Sequence, residues 1–225
     1  MLFDLRGAGR RRVVKTVYIT LAFLMGGGLV LFGIGGGGAL SGGLLDAITE
    51  SSGGGDAGAD RFRSQEESAT AKARANPTDA AAWAAVARAR FNLANAGENV
   101  DQAAGSYTPE GKRELEAASR AWEKHLELAG NKPDSRVASL MVQAYVGLNQ
   151  LDKATRAQEI IAEDRNSAGA YATLAQFAYQ AGQARKGDLA AKKALDLTEP
   201  DMREALKGQL DAAKQQAAQG TQSPG

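Results

Sequence analysis

The side chains able to carry out acid–base, metal or thiol chemistry are few in this chain of 225 residues. There is one histidine, His125, and there is no cysteine, which excludes thiol catalysis, disulfides, zinc ribbons and iron–sulfur ligation. The acidic pairs Glu66–Glu67 and Glu163–Asp164 come without the convergent partner that acid–base catalysis needs. Such pairs are expected on solvated helix faces. The sequence therefore predicts no enzyme, no metal and no cofactor.

His125 is aligned with Ile161 and Ala194 of later helices, which are expected to face the interior of helix pairs. Because there is no second histidine to complete a ligand cluster, a metal or catalytic role is disfavoured. We expect His125 to be packed and hydrogen-bonded.

The charge of the chain is balanced, with 27 Lys and Arg against 26 Asp and Glu and a net charge of +1. This balance gives no bulk attraction for nucleic acid. Lys186 and the pair Lys192–Lys193 form the one basic group of note in the second half of the chain. Because Asp188 and Asp196 lie beside them, the pattern indicates an ordinary helix surface.

A membrane-spanning pattern precedes all of these residues. No charged residue occurs from Thr16 to Leu45, and the apolar segment 17–34 would reach about 27 Å as a helix, against a hydrocarbon core of about 30 Å. We predict a transmembrane helix over 16–35 after a basic cytoplasmic segment, 1–15, with the rest of the chain on the extracytoplasmic side of the cell membrane. The alternative is a signal peptide cleaved near Gly37–Ala39, although the apolar run exceeds the usual signal core of about 7 to 15 residues.

The chain beyond the membrane pattern changes composition twice. Residues 36–59 contain Gly53–Gly55 and Gly58 and are predicted to form a flexible linker. From residue 60 onward the chain is rich in helix-forming residues, interrupted by glycine or proline at intervals. This predicts an all-α fold of antiparallel helix pairs over 60–198, with an insertion near 97–109, a capping helix over 199–219 and a disordered tail over 220–225.

Three segments of the predicted helical domain are similar to one another. Trp83 follows Pro77 by six positions, and Val137 and Tyr171 open later copies that begin 34 residues apart. This pattern resembles the tetratricopeptide repeat (TPR), whose period is about 34 residues. By this resemblance, Trp83 is the large side chain that packs between paired helices.

The second helices fit the same resemblance, with a small Ala118 and a bulky Trp122 in the first of them. Small residues allow paired helices to approach, and large apolar ones fill the gap between pairs. The chain departs from the family at four positions. Alanine or methionine replaces the usual glycine at Ala87, Met141 and Ala175, and glycine replaces the usual alanine at Gly187.

The resemblance implies a concave surface, lined by the first helix of each pair, that binds a peptide or helix of a partner. This groove has little charge, which suits an apolar or amphipathic extended segment. The alternatives are a groove filled by the C-terminal helix or used for homodimerisation. The implied groove residues are Arg88, Asn92, Val142, Tyr145, Gln176 and Tyr179, with the small residues Ala84, Ala138 and Ala172 between them.

These patterns predict a single-pass, membrane-anchored TPR scaffold that binds proteins on the extracytoplasmic side. The layout is similar to the membrane-anchored TPR accessory subunit of the bacterial Sec translocon, which implies a chaperone-like role in secretion. An assembly factor for an envelope complex, as in cytochrome maturation, is the alternative, and an enzyme is the opposing class. The expected partners are the membrane and a protein or peptide, without nucleic acid.

Overall fold

The structure is a computed structural model that describes residues 55–101 and 103–220. Within those ranges no helix combines the length and the apolar character needed to span a bilayer. The transmembrane helix predicted over 16–35, the basic segment 1–15, residues 36–54 of the predicted linker and the tail after Gly220 all lie outside the described residues.

Eight α-helices make up most of the described chain, so the predicted all-α class is confirmed. Two short 3-10 turns, Gly97–Asn99 and Pro200–Met202, and a two-stranded antiparallel hairpin connect some of them. The helices are α1 Gly55–Ala75, α2 Ala80–Ala94, α3 Pro109–Ala129, α4 Ser135–Gly147, α5 Leu151–Arg165, α6 Ala168–Gln180, α7 Ala184–Asp196 and α8 Arg203–Gly220, and the strands are β1 Val100–Asp101 and β2 Ser106–Tyr107.

Successive helices pack against each other and form stacked pairs. Helix α2 packs on α3, α4 on α5, and α6 on α7, while contacts of α3 with α4 and of α5 with α6 join one pair to the next. Helix α1 packs on α2, and α8 packs on both α6 and α7. In this α-solenoid-like arrangement α2, α4 and α6 are the first helices of the pairs, and α3, α5 and α7 are the second helices.

Polar side chains start the first helix of each pair. Asp79, Asp134 and Ser167 each accept a hydrogen bond from a backbone N–H in the first turn of the helix that follows. The turns inside the second and third pairs each contain a residue with positive φ, Asn149 and Gly182. Asparagine and glycine adopt this conformation at low cost, which keeps both turns short.

The interior between the paired helices consists of alanines and a few large side chains. Ala87 and Ala175, at positions where the TPR pattern has glycine, are fully buried, as is Met141 at the third such position. Trp122 is the largest fully buried side chain, with 1% of its surface exposed. In the third pair the core is completed from α8 by Leu210, which is also buried.

Trp83 is less buried than the TPR resemblance implies. Its indole is half-buried at the edge of the first pair, and its Nε1 donates a hydrogen bond to the Pro77 carbonyl at 2.9 Å. The polar edge of the indole is thereby held at the turn before α2. The fully buried indole of the first pair is that of Trp122.

Helix α1 begins earlier than the sequence predicts. Residues 55–59 were expected in the linker, but the helix starts at Gly55. A stripe formed by Phe62, Glu66, Ala69 and Ala73 is turned inward from the otherwise exposed α1. Packing of this stripe on α2 outweighs the low helix propensity of the glycines.

Glu66 was predicted to be solvated, and that prediction is wrong. The carboxylate of Glu66 is buried and accepts from Thr70 Oγ1 at 2.6 Å, and it lies 2.6 Å from Arg90 of α2. The same guanidinium contacts Glu114 of α3 at 2.8 Å. Arg90 therefore connects α1 to α3 across α2, and burial of Glu66 is compensated by its two partners.

The segment between α2 and α3, where an insertion was predicted, contains the hairpin and braces the second pair. The hydroxyl of Tyr107 donates to Asn95 Oδ1 at 2.8 Å. Its ring packs on Gly147 at the end of α4, where a Cβ atom would lie 2.6 Å from the ring. The hairpin thus joins the first pair to the second.

Candidate protein-binding surfaces

The first-helix face is the side of the stack on which α2, α4 and α6 carry the candidate groove residues. Arg88 is exposed and its guanidinium lies 3.8 Å from the Asp134 carboxylate. Asn92, Val142 and Gln176 are half-buried. These four side chains are accessible, so they stay candidates for contact with a partner.

The two tyrosines predicted for the groove are buried instead. Tyr145 is 2% exposed and accepts a hydrogen bond from the Ser119 hydroxyl at 3.1 Å. Tyr179 is 6% exposed and donates to Asp188 Oδ1 at 2.9 Å. Both rings point between helices, and the ring of Tyr179 lies against Gly187. The prediction that they offer contact area to a ligand is wrong.

The pKa of both tyrosine hydroxyls is raised by their surroundings. Burial raises the pKa of the Tyr145 hydroxyl, although the hydrogen bond with Ser119 opposes the effect. Burial, followed by the hydrogen bond and the charge of Asp188, raises the pKa of Tyr179 well above its ordinary value. Both hydroxyls are therefore neutral at physiological pH and act as structural hydrogen-bonding groups.

Val146 belongs to the same face and was missed in the sequence. It is 48% exposed and lies one helical turn after Val142 on α4. The i, i+4 spacing of two valines was the available signal, since such residues share one side of a helix. Val142, half-buried against the core, and the exposed Val146 together form a partly exposed valine strip on the middle first helix.

His125 is hydrogen-bonded through both ring nitrogens, in agreement with its predicted packing. The Asp134 N–H donates to Nε2 at 3.0 Å, and Nδ1 lies 2.9 Å from the Ala80 carbonyl oxygen. Because a backbone N–H can only donate, Nε2 is unprotonated and Nδ1 carries the hydrogen. The ring also stacks on Trp122 with 4.9 Å between centroids. His125 therefore joins α3 to the starts of α2 and α4.

Asp134, whose backbone N–H donates to His125, also caps α4 with its side chain. Partial burial acts to raise the pKa of its carboxyl, but hydrogen bonds from the Arg136 side chain and from the backbone N–H groups of Arg136 and Val137 outweigh it. The net result is a pKa below the usual range. The side chain of Asp134 is therefore a carboxylate in the folded protein, and it caps α4 in that form.

The second-helix face, on the opposite side of each pair, carries a repeated ion pair. Lys153 of α5 contacts Glu123 of α3 at 2.6 Å, and Lys186 of α7 contacts Glu159 of α5 at 2.6 Å. The two lysines stand in equivalent positions, each following a left-handed turn residue by four positions. The ion pairs are partly exposed, so each contributes little to stability on its own.

A large open cleft lies on this second-helix face, between α5 and α7. Its volume is about 710 Å³, within the range of roughly 300 to 1,000 Å³ typical of binding clefts. A similar but small cleft of about 70 Å³ lies one pair earlier, between α3 and α5. The residues that line the large cleft are Glu159, Tyr171, Leu174, Gly182, Gln183, Ala184, Arg185, Lys186, Leu189 and Ala190.

Across residues 55–101 and 103–220, no three carboxylate or imidazole groups come together in a way that could hold a metal ion. No protein-family model matches this chain, and no curated protein matches it. The accessible surfaces of the described chain that offer candidates for function are the first-helix face and the cleft on the second-helix face.

Proposed function

We propose that this protein is a membrane-anchored TPR-type scaffold that binds a segment of another protein on its first-helix face. The observation that carries the proposal is the partly exposed valine strip, Val142 and Val146, on the middle of three stacked first helices. Contiguous exposed apolar surface, unlike apolar side chains exposed singly, is typical of protein contact sites.

The assignment to the TPR family is supported by the architecture. Three helix pairs follow one another, and the residues at the pattern's close-approach positions are buried. The Pro77–Asp79 segment ends one helix and caps the next, as the repeat pattern requires. Three pairs with a covering helix at each end form a stable minimum for such an array.

The chemistry of the valine strip and its neighbours defines the kind of segment it would bind. The strip is apolar, and the accessible candidate residues on the neighbouring first helices are a cation, Arg88, and two amides, Asn92 and Gln176. The Arg88 charge is partly balanced by Asp134. An extended, apolar segment whose backbone can hydrogen-bond to the amides fits this surface, as does the exposed part of a chain that has not yet folded.

The location of the scaffold rests on the sequence. The charge-free run Thr16–Leu45 and the cluster Arg10–Arg12 before it support a location of the helical domain outside the bacterial cell membrane. Intact-mass measurement of protein extracted from membranes should show the N-terminal 39 residues retained, and protease added to spheroplasts should remove the mass beyond about Ser51. A shortened protein in the soluble extracytoplasmic fraction would contradict the anchor and indicate a signal peptide.

Binding by the first-helix face is tested by co-purification from cells that express the full chain with paired substitutions. Val142→Asp with Val146→Asp should remove the co-purifying protein, since two carboxylates replace the apolar strip. Lys112→Asp with Lys124→Asp, on α3, is the matched control and should leave it bound. Equal recovery from both variants would overturn the assignment of the contact to this face.

A further inference from the structure

The cleft between α5 and α7 is a second accessible surface, separate from the valine strip of the proposed function. Tyr171 and Leu174 of α6 line it between the two second helices, and Leu189 of α7, 64% exposed, stands at its rim. A leucine exposed to this extent beside an apolar cleft is not explained by the packing of the described chain.

The large cleft differs from its small counterpart one pair earlier in the residues at equivalent positions. Trp122, Leu126 and Ile160 line the small cleft between α3 and α5. The equivalent positions of the next pair hold the smaller or charged Gln158, Ala162 and Lys193, and none of these lines the large cleft. These positions are equivalent because Ala118, Ala154 and Gly187 occupy the same buried place in successive second helices. The Glu–Lys pairs, which recur from one pair to the next, agree with this alignment.

The exposed surface of α7 around Leu189 is basic. At about 100° per residue, the four cations Arg185, Lys186, Lys192 and Lys193 all lie within about 60° of Leu189 around the helix axis. Asp188 is turned away from them and pairs with Lys214 of α8 at 2.6 Å. The acidic residue that shares the basic side is Asp196, in the last turn.

Most of these cations are not neutralised within the described part of the chain. Lys186 is paired with Glu159, and Lys193 lies over the Tyr171 ring, 5.9 Å from its centroid. Arg185 and Lys192 form no ion pair with any described carboxylate. The cleft therefore has an apolar floor and an excess of positive charge at its rim.

We propose that this cleft binds an amphipathic helix of a partner protein, with apolar residues against Leu174 and Leu189 and with Asp or Glu beside Arg185 and Lys193. From Ala184 to Ala190 the α7 wall of the cleft extends about 9 Å, which corresponds to nearly two turns of a bound helix. Helix-in-groove binding of this kind uses apolar anchors at i, i+4 and i+7, and opposite charges fix the orientation.

The test uses the full chain in nanodiscs of zwitterionic lipid and two synthetic fluorescent helical peptides, with empty nanodiscs as background. Both peptides carry leucine at i, i+4, i+7 and i+11, and the flanking positions are glutamate in one and lysine in the other. Fluorescence polarisation should show the glutamate peptide bound at least about tenfold more tightly, with an affinity that falls as salt is raised. Equal binding of the two peptides, or no binding of either, would overturn the proposal.

Substitutions distinguish this site from the first-helix face. Leu189→Asp should weaken the glutamate peptide by about tenfold or more, and Arg185→Glu should weaken it with a smaller salt dependence. Val146→Asp, at another exposed apolar residue but on the other face, should leave the affinity unchanged. A loss in Val146→Asp instead would assign the peptide to the face of the proposed function. If Leu189→Asp alters only self-association in sedimentation experiments, the occupant is a second copy of this chain, and the proposal fails.

Discussion

The ring of Tyr179 in α6 lies directly against the Cα atom of Gly187 in α7. A Cβ atom at position 187 would overlap Cδ1 and Cε1 of that ring. This contact explains why glycine stands where the repeat pattern has alanine, since the tyrosine occupies the space of the missing methyl group. In the preceding pair Tyr145 is directed instead to Ser119 of the earlier second helix, and the position equivalent to Gly187 is Ala154.

Substitution Gly187→Ala should destabilise the protein by about 1 to 3 kcal/mol, because an aromatic ring held by its hydroxyl cannot move aside freely. The gain in helix propensity, about 1 kcal/mol, offsets part of this loss. Gly208→Ala in α8 is the matched control, since nothing lies within 4 Å of its added methyl group, and it should stabilise by up to about 1 kcal/mol. An equal rise in Tm for both variants would show that the ring does not occupy this space.

Asp188 holds α6, α7 and α8 together, and its charge makes that junction dependent on pH. Hydrogen bonds from Lys214 and then from Tyr179 lower the pKa of Asp188 below its ordinary value of 3.8. A lowered pKa in the folded state contributes stability that is present above pH 3.8 and is lost as pH falls through the folded value. We expect Asp188→Asn to lower Tm at pH 7 and to have a smaller effect on Tm at pH 3.

Asp196→Asn provides the comparison for that experiment on the same helix. Asp196 forms no ion pair with another described residue, so its change in Tm should be small at both pH values. An Asp188→Asn effect that is as large at pH 3 as at pH 7 would mean that the carboxylate charge is not what joins the three helices.

His125 should be found as the Nδ1–H tautomer, because Nε2 accepts from the Asp134 N–H. The ¹⁵N chemical shifts of the labelled ring distinguish the two tautomers directly. His125→Phe keeps a ring in the buried site but leaves the Asp134 N–H without its acceptor, at a cost of about 1 to 3 kcal/mol. An Nε2–H tautomer, or a Phe variant as stable as the wild type, would contradict the role of His125 in joining α3 to the starts of α2 and α4.

The two tryptophans should differ in their contribution to the free energy of unfolding. Trp122→Ala should cost about 3 to 5 kcal/mol, since the side chain is fully buried in the first pair. Trp83→Ala should cost clearly less, because its indole is half-exposed and its hydrogen bond lies at the edge. Chemical denaturation of the two variants checks the order, and the reverse order would show that the burial of the first pair is misassigned.

Helix starts and pair spacing could be predicted from the sequence because they depend on local chemistry. Pro77, Asp79 and Asp134 act within one turn of their own helix, and the 34-residue spacing of Val137 and Tyr171 reflects one pair stacked on the next. Helix α1 was only partly anticipated, since its inward side includes the carboxylate of Glu66, whose partner Arg90 is 24 residues away.

The candidate surfaces were harder to predict because they depend on side-chain size in other helices. The direction of Tyr179 is decided by the absence of a side chain at Gly187. The cleft on the second-helix face is lined by side chains of three helices, among them Glu159, Tyr171 and Leu189, which the sequence alone does not bring together. In the sequence, the cations around Leu189 indicate an ordinary helix surface because Asp188 lies beside them. In the structure Asp188 pairs with Lys214 of α8 instead.

The most direct test of the proposed scaffold function is site-specific photo-crosslinking in cells that produce the full chain. A photo-reactive residue at Val146 should form a covalent adduct with a discrete partner protein, and the same residue at Lys124 of α3 should not. The adduct at Val146 should disappear when Val142→Asp is added, because the apolar strip is then interrupted. Adducts of equal yield at Val146 and Lys124, or none at Val146 while Leu189 gives one, would contradict binding by the first-helix face.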